Sequence, residues 1–215
     1  MEASTQKRDL GPLTGALFVV LVLVAFFALG GNTPDGDASA RKVVSFYGDN
    51  ENKEIIAAVV LALSAVPLLY FTALMRDRLR AALPDRSLLP AFAVGGGAVA
   101  AAGFTIAATM HFALADYAKD IQPSAAQAIN AIDNDFFLPF TTGLAVLVLA
   151  SSVGAIRAGI LPKWLGWVGV VLFVVFFTPA GFIAFGLTGI WIIVVSVLLY
   201  TRGPAARATS PGAPA

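Results

Sequence analysis

The chain has 215 residues, 58% of them hydrophobic and only 13% charged, with a mean hydropathy of +0.83. Soluble domains carry roughly 25% charged residues, so a water-dissolved globule is excluded and lipid is the main solvent. Fourteen basic against thirteen acidic side chains leave a net charge of +1, which excludes nucleic-acid binding by bulk electrostatics, and the absence of cysteine removes disulfides and thiolate chemistry.

A membrane-crossing helix needs about 20 apolar residues. Six stretches meet or approach that length, at about 12–30, 54–75, 88–114, 136–156, 164–179 and 184–201. The last two belong to one apolar run, Leu161 to Tyr200, interrupted by a single charge at Lys163, and they reverse around Thr178, Pro179, Ala180 and Gly181. The expected fold is an all-α membrane protein of about six transmembrane helices. It forms one polytopic domain over 1–202, with a disordered cytoplasmic tail at 203–215 rich in proline, alanine and glycine. An alternative makes the first span a signal peptide, because Lys7 and Arg8 precede a run ending at Ala28, Leu29 and Gly30; that run exceeds the usual signal core.

Orientation follows from the basic residues. Lys7, Arg8, Arg76, Arg78, Arg80, Arg86, Arg157, Lys163, Arg202 and Arg207 fall on one side, and Arg41, Lys42, Lys53 and Lys119 on the other. The bias predicts that both termini are cytoplasmic.

The two long outer loops are each expected to carry a short amphipathic helix lying on the surface. In the first, Val43, Val44, Phe46 and Tyr47 share a helical side; in the second, Pro123 opens a helix with Ala125, Ile129, Ile132 and Phe136 at three- and four-residue spacing. Asp49, Asn50 and Glu51 precede the second span, and Asp133, Asn134 and Asp135 precede the fourth. Helix capping is the preferred role for both clusters. The alternative, that they converge with Asp116 and Asp120 on a hard cation, matches no calcium-loop spacing.

Along the third span Gly96, Ala100, Gly103, Ala107 and His111 fall within roughly 80° of one another, a small-residue face that permits close helix packing and suits the bundle centre. Thr105, Thr109 and Asp116 form a second stripe, whose hydroxyls can bond back to their own helix. His111, the single histidine, either bonds a neighbouring carbonyl or stands at the mouth of a ligand cavity; the candidate pocket set is His111, Asp116, Thr105, Thr109, Asp133 and Asp135. One histidine cannot make a zinc site without several carboxylates beside it, and neither a metal nor any other cofactor is expected. No Asp, Glu, Lys or Arg occupies the middle of a predicted span, which weakens a proton- or ion-coupled transporter. Pro67, following Ser64, should kink the second span and free a carbonyl near Leu63.

Leu161, Pro162, Lys163, Trp164, Leu165, Gly166 and Trp167 form the most distinctive string, with Lys163, Trp164 and Trp167 suited to anchoring at the headgroups. Together with Phe46, Tyr47, Asp49 and Asn50 and with Arg76, Asp77, Arg78, Leu79 and Arg80, this string resembles a group of small uncharacterised integral membrane proteins common in actinobacteria. The resemblance covers most of the chain outside the tail. It implies a multi-pass fold in a bacterial cytoplasmic membrane and carries over no catalytic residue, since the group has no assigned activity.

The leading functional expectation is non-enzymatic binding of a small apolar ligand, lipid or partner helix in a groove beside the third span. A passive or weakly coupled carrier comes second, and a membrane-embedded enzyme with an outward acidic site third. Membrane lipid is the expected partner, with a membrane-protein partner or homo-oligomer as further options and nucleic acid excluded.

Overall fold

The structure is a computed structural model that describes residues 9–202. Lys7, Arg8, Arg207 and the tail expected to be disordered lie outside the described residues, as does the stretch before the first span on which the signal-peptide alternative depends. Among the described residues the protein is all α-helical, with five helices long and apolar enough to cross a membrane. They are α1 (Thr14–Leu23, extended by a 3-10 turn at Gly11–Leu13 and a π-helical turn at Val24–Leu29), α2 (Ala40–Ala82), α3 (Leu89–Tyr117), α5 (Leu138–Ala158) and α7 (Gly181–Arg202). Between them stand α4 (Pro123–Asp135) and the apolar α6 (Lys163–Phe176), which at 14 residues is shorter than a full crossing.

Neighbouring helices pack in the order α1, α2, α3, α5, α6, α7, and α7 returns to α1, so six apolar helices close a ring. Local chemistry sets their ends. Prolines fill the first turns of α3, α4 and α5, where a missing amide proton costs nothing. Gly159 ends α5 in the left-handed region at φ 68°, its amide donating to the Ala155 carbonyl at 3.0 Å. The reversal between α6 and α7 falls at the expected residues, with the Thr178 hydroxyl donating to the Val175 carbonyl.

The small-residue face of α3 meets α5 at near backbone contact. A Cβ placed on Gly96 would lie 2.5 Å from the Leu147 amide nitrogen, and one on Gly103 would lie 2.6 Å from that of Phe140; on α5, a Cβ on Gly143 would run into the Ala100 backbone. Elsewhere in the ring, buried hydroxyls rest over glycines of the next helix: Thr72 over Gly97, Ser152 over Gly169 and Ser196 over Gly15. These hydroxyls make no conventional hydrogen bond, and the exposed Cα–H groups of glycine are the partners such close approach offers. Trp191, buried on α7, donates its indole N–H to the Leu165 carbonyl at 3.0 Å and ties α7 to α6, whereas Trp164 and Trp167 are exposed on α6 as headgroup anchors require.

One feature departs from expectation. The first outer segment is no separate surface helix: α2 runs without interruption from Ala40 through the Asp49, Asn50, Glu51 cluster and Pro67 to Ala82, roughly 65 Å, about twice the hydrocarbon thickness. Its N-cap is Ser39, whose hydroxyl accepts from the Lys42 amide. Asp49 to Glu51 therefore lie inside a helix and cap nothing. Asp133 to Asp135 close α4, and the N-cap of α5 is Phe137, with no side-chain cap. No breaker stronger than Gly48 separates the amphipathic turns from the span, so the helix continues.

The projecting turns of α2 carry α4 and the end of α3 as a cap with its own small core, built from Val43, Tyr47, Leu114, Ala115, Ala118 and Ala126. Amides of α4 strap the loop before α2: Gln127 donates to the Ala38 carbonyl, buried Asn130 to that of Asp35 (both 2.9 Å), and Asn134 to that of Pro34 at 3.1 Å. The capped end of the ring lies opposite the end bearing Arg76 to Arg86, Arg157, Lys163 and Arg202.

Candidate functional site

His111 sits where cap and ring meet. It occupies the capped end of α3, and its two ring nitrogens reach carboxylates from two other helices: Nε2 to Glu54 Oε2 of α2 at 2.9 Å and Nδ1 to Asp133 Oδ2 of α4 at 3.0 Å. Glu54 is fully buried, while the His111 and Asp133 side chains keep 13% and 14% of their exposure. Tyr47, two turns before Glu54 on the same face of α2, packs its ring edge-on against the imidazole, with centroids 5.7 Å apart. Its hydroxyl and Glu54 Oε1 are buried without a hydrogen-bond partner.

The charge of this constellation follows from counting protons. Two nitrogen–oxygen hydrogen bonds need two protons, which can reside on an imidazolium between two carboxylates or on a neutral ring and one carboxyl. Either distribution leaves a net charge of −1. Both ring nitrogens are then committed, so the imidazole has no lone pair left for a metal or a substrate proton. Among the described residues no three of His, Cys, Asp and Glu are arranged to hold a metal ion, and the acidic clusters do not converge with Asp116 and Asp120.

His111 and Asp133 line the polar end of a cavity of about 1000 Å³ inside the capped half of the ring. Its walls are otherwise mostly apolar, with Val22 from α1, Ala58 and Leu61 from α2, Ala107 from α3, Leu144 from α5 and Ile192 from α7, interrupted by threonines such as Thr141 and Thr142. Phe18, Phe140 and Phe185 line it and cluster around buried Phe104, with Phe104 and Phe140 stacked at 4.7 Å. The rim is aromatic: Phe27, Phe137, Phe177 and Phe182 line the cavity while remaining largely exposed. Thr188 also lines it, buried and with its hydroxyl unpartnered.

The residues expected at a pocket thus divide. His111 and Asp133 come together. Asp116, five residues beyond His111, points about 140° away around α3 and lines no part of the cavity. Thr105 and Thr109 donate back to carbonyls of their own helix, those of Ala101, Ala102 and Thr105, and Asp135 is exposed outside the cavity. Gly96, Ala100 and Gly103 are packing positions, and Ala107 packs and lines the cavity. Glu54 and Tyr47 were not expected here. The signal was present: Val43, Tyr47, Glu54, Ala58 and Leu61 follow one helical stripe, and an acid on an otherwise apolar stripe asks for a buried partner. The chain has no match among protein-family models, curated proteins or solved structures.

Proposed function

We propose that this chain is a multi-pass protein of a bacterial cytoplasmic membrane, both termini cytoplasmic, that binds an elongated apolar molecule in the capped-half cavity with the molecule's polar end at His111 and Asp133. One observation carries the reading: a cavity of about 1000 Å³ with a mostly apolar wall whose titratable side chains, His111 and Asp133, sit together at one end. Ligand sites are apolar enclosures with few, localised polar groups, and this volume lies at the upper end of their usual range. The basic residues gathered at the opposite end support the orientation, and the actinobacterial resemblance supports the membrane.

The other two classes fit less well. The lining residues reach no further than about the middle of the ring, at Phe18 on α1 and Ile193 on α7, so the cavity does not run through to the arginine-rich end, which counts against a carrier in this conformation. His111 between two carboxylates looks like acid–base machinery, yet neither nitrogen is free to take a proton from a substrate.

A variant that obstructs the cavity's opening tests the proposal. Gly186 lines the cavity at its exposed rim, and a Cβ there would meet nothing within 4 Å, so Gly186→Trp adds an indole at the opening with no backbone clash at its Cβ. Native mass spectrometry of protein extracted in mild detergent should show a bound long-chain molecule on the wild type that is lost from Gly186→Trp. Equal occupancy in both would place the bound molecule elsewhere and end the cavity reading.

A further inference from the structure

Building on the apolar-ligand reading above, we infer that the cavity selects a single-chain amphiphile with a terminal ammonium group, the charged head seated on Asp133 and the chain running inward among Ala58, Leu61, Val22 and Leu144. Three independent observations carry this. The polar end of the cavity has net charge −1 whichever way its two protons are distributed. Its lining contains no lysine or arginine, and His111 and Asp133 are its only titratable side chains. Asp133 spends one oxygen, Oδ2, on His111 and has no other side-chain bond among the described residues, so Oδ1 is left to accept from a ligand at the cavity mouth.

A cation placed there neutralises the constellation, and its N–H groups make charge-assisted hydrogen bonds to Oδ1. A carboxylate or phosphate head at the same place meets like charge with no basic side chain to offset it, so anionic lipids are rejected rather than merely unassisted. A hydroxyl head forms the hydrogen bond without the charge. The cap lysines do not alter the balance: Lys119 is paired with Glu51 at 2.9 Å, and neither it nor Lys53, beside Glu54 in sequence, lines any part of the cavity. Zwitterionic bilayer lipids carry a phosphate beside the ammonium and so bring the repelled group along with the attracted one.

The test compares probes of one chain length on the intact protein in detergent, by native mass spectrometry under direct competition: hexadecylamine, hexadecanol and palmitic acid, with phosphatidylethanolamine as a fourth arm. The expected order places the amine about tenfold or more ahead of the alcohol, with the acid and the zwitterionic lipid last. Asp133→Asn should bring amine and alcohol level, and Asp135→Asn, altering an exposed carboxylate outside the cavity, should keep the wild-type order. Equal binding of amine, alcohol and acid by the wild type, or an amine preference that survives in Asp133→Asn, overturns the head-group assignment and leaves apolar binding standing. Phosphatidylethanolamine outcompeting hexadecylamine overturns the single-chain assignment. Failure of every probe to bind removes the apolar-ligand reading itself.

Discussion

Glu54 is the residue on which the site turns, because it has no exposure and depends on one histidine nitrogen for compensation. A buried carboxylate stripped of its partner is among the costlier single defects in a protein. His111→Ala should therefore lower unfolding stability in detergent by about 3–5 kcal/mol, and Glu54→Gln by about 1–3 kcal/mol, since an amide of the same shape retains one hydrogen bond. The double variant Glu54→Gln with His111→Ala should lose clearly less than the sum of the single losses, because each single change strands what the other leaves. Denaturant unfolding monitored by circular dichroism reads all three, and additive losses would mean that the pair is not coupled. In the sequence Glu54 passed for the boundary residue of a span, where an acid is unremarkable. Its burial depends on α3 and α4 packing against α2, and its hydrogen-bond partner His111 stands 57 positions away, a pairing that no local pattern encodes.

Among the helices, α3 and α5 make the sharpest demand on residue size. Adjacent glycines on α3 offer an internal comparison: a methyl on Gly96 meets the α5 backbone, whereas one on Gly95 meets nothing within 4 Å. Gly95→Ala should raise stability by about 0.5–1 kcal/mol through reduced chain entropy, and Gly96→Leu should lower the melting temperature steeply because the opposing group is backbone and cannot turn aside. Similar effects at the two positions would remove the close approach of α3 and α5. The cap makes a separate prediction. Asn130 is buried and holds the Asp35 carbonyl, so Asn130→Ala should speed amide hydrogen exchange in the loop at 30–39 and in α4 while α3 and α5 keep their protection. Uniform loosening of the whole chain would show that the cap is not a separate cooperative unit. At this scale the helices of the outer segments were legible, but their buried faces were legible only in part and their destination was not: in α4 the expected Ala125 and Ile132 are exposed while Ala126 and Asn130 are buried. The same period suits a helix lying on a membrane and the first turns of a longer helix, and only the continuation of α2 and the packing of α4 distinguish them.

For the whole molecule, the orientation proposed from the positive-inside bias has the arginine-rich end of the ring in the cytoplasm and the cap outside. The absence of native cysteine makes this directly testable with single introduced thiols. Asn52→Cys on the projecting part of α2 should react with a membrane-impermeant maleimide in intact cells, and Asp85→Cys between α2 and α3 should react only after lysis. The reverse pattern would invert the topology, put the cavity mouth on the cytoplasmic side and change which ligands can reach it.

Composition and the length of apolar runs determined, without any structure, that this is a multi-helix membrane protein with its small-residue face on the third span and two tryptophans in the first turns of the fifth. Those properties are set locally, by the match of helix length to bilayer thickness and by residue size along one face. The closure of six helices into a ring, the cavity it encloses and the grouping of Glu54, His111 and Asp133 were decided only by tertiary structure. They depend on which helix faces oppose each other across the ring, and three side chains from three helices acquire a shared charge only once the cap has folded onto the bundle.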